Sequence, residues 1–329
     1  MSALSSSMSS ADFKDPGNSS TIDTELELRR AFQIWHGFLS TAELIKFFLT
    51  TNKQYTKQSM NMIKYVSCIR VKNFDVEDAA GAECNKSREL RQVLKFCKTY
   101  NLFHQIRKIS IDRMFNGKEE LVMFGNATSL CVHQFDYGVE KTVVDWIMSQ
   151  LDKLRELKLG IMMFDSIPLG ENPSSTITNL TLHWMPRMTR LRRVVAFEKL
   201  RYLFIGQCMI PSDDIITFLR QHCRTIEHVT IQMNMQIESL DLRGLKLPKL
   251  NSLNIFYCSK LKLICIDNCP NLVSFVVKQC MNVEELVISD ISPLLTELYL
   301  SYLPQLKKLT LPSERQNIMV HVDGCCQGV

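Results

Sequence analysis

One short phrase recurs along this chain and limits its fold more than any other feature: an apolar residue with further apolar residues at the fourth and sixth positions. It stands as "LRELKL" from Leu154, "ITNLTL" from Ile177, "LRYLFI" from Leu200, "IEHVTI" from Ile226, "LNSLNI" from Leu250, "LVSFVV" from Leu272 and "LTELYL" from Leu295. Weaker copies start at Ile106, Ala127 and Asn317, and successive starts lie 21 to 27 residues apart. Fourth and sixth positions share one face of a strand, and the first anchors the approach to it. One such coil cannot bury its apolar face alone, but a stack of coils makes a continuous core.

This phrase and period are those of a leucine-rich repeat. The ninth position, occupied by Cys208, Asn234, Cys258, Cys280 and Leu303, resembles the Asn/Cys position of that family, where the side chain turns inward after the strand. From Ile237 onward extra copies fall between the main ones, at "IESLDL", "LKLICI" from Leu261, "VEELVI" from Val283 and "LKKLTL" from Leu306. Eleven residues are too few for a coil, so two beats make one, and strands are expected on both the concave and convex sides of the later half. Earlier spacers are helical in pattern: "SRELRQVLKFCKTYN", "EKTVVDWIMSQLDK", and "PSDDIITFLRQHCRT" with Ser212 as N-cap and Ile215, Ile216, Leu219 and Cys223 on one face. The expectation is an α/β horseshoe solenoid of about ten coils over residues 66–329, helical behind at first and strand-backed later, with "VSCIRV" from Val66 as a further candidate strand.

Composition excludes more than it suggests. A net charge of +5 on 329 residues implies neither a nucleic-acid nor an acidic-membrane partner. The first residues lack the basic and apolar regions of a signal peptide, and no stretch is apolar enough to span a membrane, so a cytoplasmic or nuclear location is expected. The twelve cysteines are then expected as reduced thiols. None forms a C-x-x-C pair, and Cys265 with Cys269 reads as core packing, so neither metal nor cofactor is expected. No phosphate loop, dinucleotide fingerprint, metalloprotease helix or nucleophile elbow occurs, which argues against an enzyme.

Ahead of the repeats, a Ser-rich tail (1–24), expected to be disordered, leads into a segment (25–65) with two short helical patterns meeting at "FLSTAEL". Its aromatic residues exceed what one buried face of a capping element needs. The segment resembles an F-box: Ile34-Trp35, Phe38-Leu39, the Ser40-Thr41-Ala42 turn, Glu43-Leu44, Ile45 to Leu49 and Asn52-Lys53-Gln54-Tyr55 follow that motif's order, without its opening Leu-Pro. An F-box followed by leucine-rich repeats is a familiar architecture, and the resemblance implies a substrate receptor of an SCF-type cullin–RING ubiquitin ligase. By that resemblance Phe32, Ile34, Trp35, Phe38, Leu39, Leu44, Phe48, Leu49 and Tyr55 would dock a Skp-family adaptor, and through it a cullin, while the repeats hold a protein target. The rival reading is a free-standing repeat scaffold whose N-terminal helices cap the first coil.

Exposed strand positions of a solenoid form columns that bind partners. Here they place His183, Trp184, Phe204, Phe256, Tyr257, Lys278, Tyr299 and Tyr302 near the inner face, as candidate target-binding residues. The basic run at Arg187, Arg190, Arg192 and Arg193 falls after a strand and reads as a solvated corner. The terminal "CCQGV" puts Cys326 where a prenylation box would, but Gln327 and Gly328 are not its aliphatic pair, so no membrane partner is expected unless Cys326 is lipidated.

Overall fold

The computed structural model describes residues 68–71, 95, 97–99, 101–111, 124–133, 151–160, 176–191, 197–289, 294–311 and 318–325. All of them belong to the unit Val66–Val329. The adaptor-docking residues expected at Phe32 to Tyr55, the Ser-rich tail and Cys326 lie outside the described residues.

In chain order the strands are β1 (Cys68–Val71), β2 (Lys108–Ile111), β3 (Ser129–Val132), β4 (Glu156–Gly160), β5 (Asn179–Met185) and β6 (Tyr202–Cys208). A helix, α1 (Ser212–Gln221), follows. Then come β7 (His228–Gln232), β8 (Ser239–Asp241), β9 (Ser252–Phe256), β10 (Leu263–Ile266) and β11 (Ser274–Lys278). The last are β12 (Glu285–Ile288), β13 (Glu297–Ser301), β14 (Lys308–Thr310) and β15 (Met319–Asp323). Eleven strands form one parallel sheet in the order β1-β2-β3-β4-β5-β6-β7-β9-β11-β13-β15, and β8, β10, β12 and β14 form a second, behind it. Strands alternate front and back from β7 onward, as the eleven-residue beat requires.

Register explains why coils of unequal length stack. Leu180 pairs with Leu203, Leu203 with Val229, Val229 with Leu253, Leu253 with Phe275 and Phe275 with Leu298, so fourth positions meet fourth positions. Loop-length differences are absorbed outside the strands. The side chains at first, fourth and sixth positions from Ile177 to Leu300 are essentially inaccessible, and the back copies contribute Leu240, Leu242, Ile264, Ile266, Leu286 and Ile288 from the other side. Two thin sheets thus enclose one strip of core.

The corners follow one rule. The eighth residue of each front copy from Ile177 to Leu295 is left-handed: Trp184, Gln207, Met233, Tyr257, Gln279 and Tyr302 have φ between 51° and 57°. Gly244 and Asn268 repeat the conformation on the back, and Gly324 repeats it after β15. For a residue with a Cβ this costs about 1–2 kcal/mol. It turns the ninth side chain inward, where Cys208, Asn234, Cys258, Cys280 and Leu303 are buried. The ninth carbonyl then accepts from the N–H three residues on: Cys258 from Leu261, Cys269 from Leu272, Cys280 from Val283 and Leu303 from Leu306. That residue is the first of the next copy, so one tight turn joins two eleven-residue halves. The cysteines suit the corner because each thiol donates to the carbonyl two residues back: Cys208 to Gly206 at 3.2 Å, Cys258 to Phe256 at 3.5 Å, Cys269 to Asp267 at 3.2 Å and Cys280 to Lys278 at 3.5 Å. Asn234 does the same work with an amide, donating to Ile210 O and accepting from Gln236 N.

Several expectations are corrected. Among the described residues the unit is a β-solenoid with one complete helix, α1, in place of the expected α/β horseshoe with helical early coils. Residues 95 and 97–99 are helical within the first helical spacer, residues 151–153 of the second are turn and coil, and the remainder lies outside the described residues. The tally of about ten coils is not reproduced: eleven strands share the front sheet, while the turns from Asn179 to Asp323 number seven (β5, β6, β7, β9, β11, β13 and β15). Motif copies count front strands rather than turns. Ser212 is not an N-cap. Pro211 occupies that position with no side-chain bond, and Ser212 Oγ instead accepts from the backbone N–H of Glu238 and Ser239, tying the helix to the next coil. The buried face of the helix is Asp214, Ile215, Phe218 and Leu219, with Ile216 and Cys223 only half-buried. Asp214 Oδ2 accepts from Leu191 N, which gives a buried carboxylate its partner.

Two outcomes follow for stability. Phe275→Ala should cost about 3–5 kcal/mol by urea denaturation, since the ring is fully enclosed between neighbouring coils. His222 is packed against Phe197 and Phe218, and burial pushes its imidazole down to about 4. The unfolded chain then binds the extra proton between that value and about 6.5, so stability drops as the pH falls through this window. The urea midpoint of His222→Phe should fall less between pH 7 and pH 5 than that of the parent.

Candidate functional site

The front sheet presents third, fifth and seventh positions outward, and these separate into three groups along the stack. At its start, Ser129 Oγ donates to Glu156 at 2.7 Å and Lys158 pairs with the same carboxylate at 2.8 Å. Burial works against the charged form of Glu156, yet the hydrogen bonds from Lys158 and Ser129 prevail and hold its carboxyl below the usual range. The same pairing raises Lys158. Cys131 Sγ and His133 Nε2 stand 3.4 Å apart beside them.

In the middle, Tyr202 stacks on His228 at 4.3 Å, and His228 Nδ1 meets Ser252 Oγ at 2.8 Å. Desolvation by the neighbouring coils lowers the His228 pKa. His183 and Phe204 approach each other at 6.2 Å over Gly206. A Cβ at Gly206 would meet the Phe204 ring at 2.6 Å and the His183 ring at 2.9 Å, so the absent side chain is what lets both lie down on the sheet. Farther along, Lys278 Nζ sits 4.2 Å over the Tyr299 ring, which stacks on His321 at 4.8 Å. Aromatic and cationic residues on this face are thus braced by the next coil, at about 0.5–1.5 kcal/mol for each ring pair.

The expected target-binding residues therefore divide in two. His183, Phe204, Phe256, Lys278 and Tyr299 are strand residues of the sheet face. Trp184, the last residue but one of β5, and Tyr257 and Tyr302, just past β9 and β13, occupy the left-handed corners, which breaks the alternation there and sets them on the rim, 51%, 42% and 50% exposed. Period-two counting does not anticipate that step. Tyr202 and His228, at third positions that the same alternation turns outward, are not among the expected residues, nor are the exposed Met235 and Met281, one residue past the inward corner. The signal available for the methionines is the pairing of a corner Cys or Asn with a following Met in "CM", "NM" and "CM" at 208, 234 and 280.

The back sheet has a different chemistry. Glu238, Lys262, Glu284 and Lys307 occupy equivalent second positions in successive copies, and Lys307 and Lys308 pair with Glu284 and Glu285. These ion pairs are solvated and contribute little to stability. Among the described residues no group of three His, Cys, Asp or Glu side chains is placed to hold a metal ion, and no helix is long and apolar enough to cross a membrane. Burial pushes the corner thiols of Cys208 and Cys269 up to about 12, whereas Cys258 and Cys280 share one contact that raises the first, together with burial, and lowers the second.

No family model and no curated protein matches this sequence. Among solved structures the chain is similar to the leucine-rich repeat domain of APL1B, at 12% identity and a TM-score of 0.32, over 83% of this chain and 73% of that one. The fold assignment rests on the ladders and corners themselves. The unit Val66–Val329 is a leucine-rich-repeat-like β-solenoid.

Two glycines on the front sheet separate face from scaffold. Gly160→Ala would place a Cβ 2.7 Å from the His133 carbonyl oxygen, which belongs to backbone, and should destabilise by about 1–3 kcal/mol. Gly206→Ala meets only side chains, so it should cost less than Gly160→Ala, about 0.5–1.5 kcal/mol for the displaced ring pair, while altering the ring-current shifts of Phe204 and His183 in NMR spectra.

Proposed function

We propose that this solenoid is a protein-interaction scaffold whose concave sheet face receives a polypeptide partner. The observation that supports it is the middle of the front sheet, where Tyr202, Phe204, His228 and Phe256 stand on neighbouring strands as partly exposed, uncharged rings, with Tyr202 stacked on His228 and Phe204 against His183 across coils. Its polar groups are amides, hydroxyls and imidazoles, including Thr230, Gln232 and Asn254. Such a surface suits the side chains and amides of another protein better than phosphates, which call for clustered cations. Nothing in this reading requires covalent chemistry, a cofactor, nucleic acid or a membrane.

In its finer form, the scaffold is the target-binding part of an SCF-type ubiquitin ligase receptor, acting in the cytoplasm or nucleus. The F-box-like order of Ile34-Trp35, Phe38-Leu39 and Glu43-Leu44 supports this form, since those residues would carry the adaptor while the sheet carries the target. The two parts can be tested on one full-length chain. A Phe204→Ser/Phe256→Ser variant with an unchanged melting temperature should lose partners that the parent captures from cell extract, and equal capture would remove the sheet face from the function. The parent should retain a purified Skp-family adaptor and a Trp35→Ala/Leu44→Ala variant should not. Failure of the folded parent to retain the adaptor leaves the scaffold reading alone.

A further inference from the structure

The corners impose the same backbone demand on both sheets but are filled differently. Among the described residues the left-handed position on the back is held by Gly244 and Asn268, residue types that adopt this conformation at least cost. On the front, six successive coils use Trp184, Gln207, Met233, Tyr257, Gln279 and Tyr302. The turn does not need these side chains, as Gly324 shows by making it after β15 with none. Nor does the core, since the Trp and both Tyr are about half exposed. Strained positions that keep large exposed side chains point to contact with something outside the chain.

The residue two positions on extends the same rim. Pro186, Met209, Met235, Ser259, Met281 and Pro304 follow the buried ninth residues, and Met235 and Met281 are 45% and 47% exposed. Across six coils none of the positions eight to ten is charged, in a chain where 22% of residues are. A polyanion would find no counter-charge in this strip. Methionine beside Trp and Tyr gives an adaptable apolar surface with fixed anchors.

Spacing selects the shape of the occupant. Neighbouring coils stand about 4.8 Å apart, so the strip runs for about 24 Å. A helix repeats its apolar stripe every 5.4 Å or so, close to one turn for each coil. An extended strand repeats same-face side chains only every 6.8 Å or so, and falls out of step within two coils. We infer that the corner rim docks an amphipathic helix of about 16 residues from a protein partner, its apolar stripe lying along Trp184, Met233, Tyr257 and Tyr302. This surface is distinct from the concave sheet face and adds a second mode of binding to it.

Panning a displayed library of random 18-residue peptides against the full chain tests the inference. Two variants serve as counter-targets: Trp184→Asn/Tyr257→Asn/Tyr302→Asn on the rim, and Phe204→Ser/Phe256→Ser on the sheet face. Expected binders carry apolar residues at i, i+3, i+4 and i+7, gain helical circular dichroism on binding, and weaken at least about tenfold on the rim variant but less than about twofold on the face variant. The rim variant should melt at or above the parent temperature, because Asn accepts the left-handed backbone. Recovery of no binders, binders without helical periodicity, affinity indifferent to the rim or lost only with the face variant, or a lowered melting temperature of the rim variant would each overturn it.

Discussion

Everything in this unit depends on like positions burying one another across a parallel ladder. Leu253 is covered on one side by Val229 and on the other by Phe275, each the fourth residue of its own copy. No residue in the stack finds its main apolar partner far along the chain. Stability is therefore close to a sum over neighbouring coils, and the penalty for one poor coil is shared by only two others. That independence is what lets the exposed positions vary: a side chain at a third, fifth or seventh position can change without disturbing the register that the fourth and sixth enforce.

The corner is the second constraint, and it couples backbone strain to surface chemistry. Turning from strand to back-strand within three residues demands one left-handed residue and one small inward group that satisfies a carbonyl. Cysteine and asparagine meet the second demand by donating to nearby backbone oxygens, at 3.5 Å for Cys258 and 3.0 Å for Asn234. The first demand falls on whatever residue precedes them, and so projects that side chain outward at the same height in each coil. A line of aligned rim groups is a by-product of folding; their chemical identity is not.

The solenoid, its strand positions and the strand-backed later coils were legible in the spacing of apolar residues, because burial at positions one, four and six leaves a periodic trace; of the helical backs expected before them, α1 is the one complete helix among the described residues. The mirrored eleven-residue beat was legible for the same reason. The left-handed corner was not: in most proteins glycine or asparagine marks such a turn, and here Trp184, Met233 and Tyr257 carry it without that sign. Nor was the bond from Ser212 to the next coil, since an N-cap and an inter-coil acceptor call for the same residue type. The stack of Tyr202 on His228 escaped notice because it joins residues 26 apart through a register that only the fold supplies.

The half-coil beat sets a rule for how such a protein can lengthen. Front and back strands from β8 to β14 are nearly interchangeable in their buried positions, yet their outward positions differ: Asn254, Val276 and Tyr299 in front, Asp241, Glu285 and Lys308 behind. Duplicating a single eleven-residue unit would preserve every buried contact and still send all downstream front strands to the back, exchanging the stacked aromatic face for the charged one. Inserting two units would restore the frame. Growth in this half of the chain is thus quantised in pairs, much as a reading frame is, with the core blind to an error that the surface would register at once.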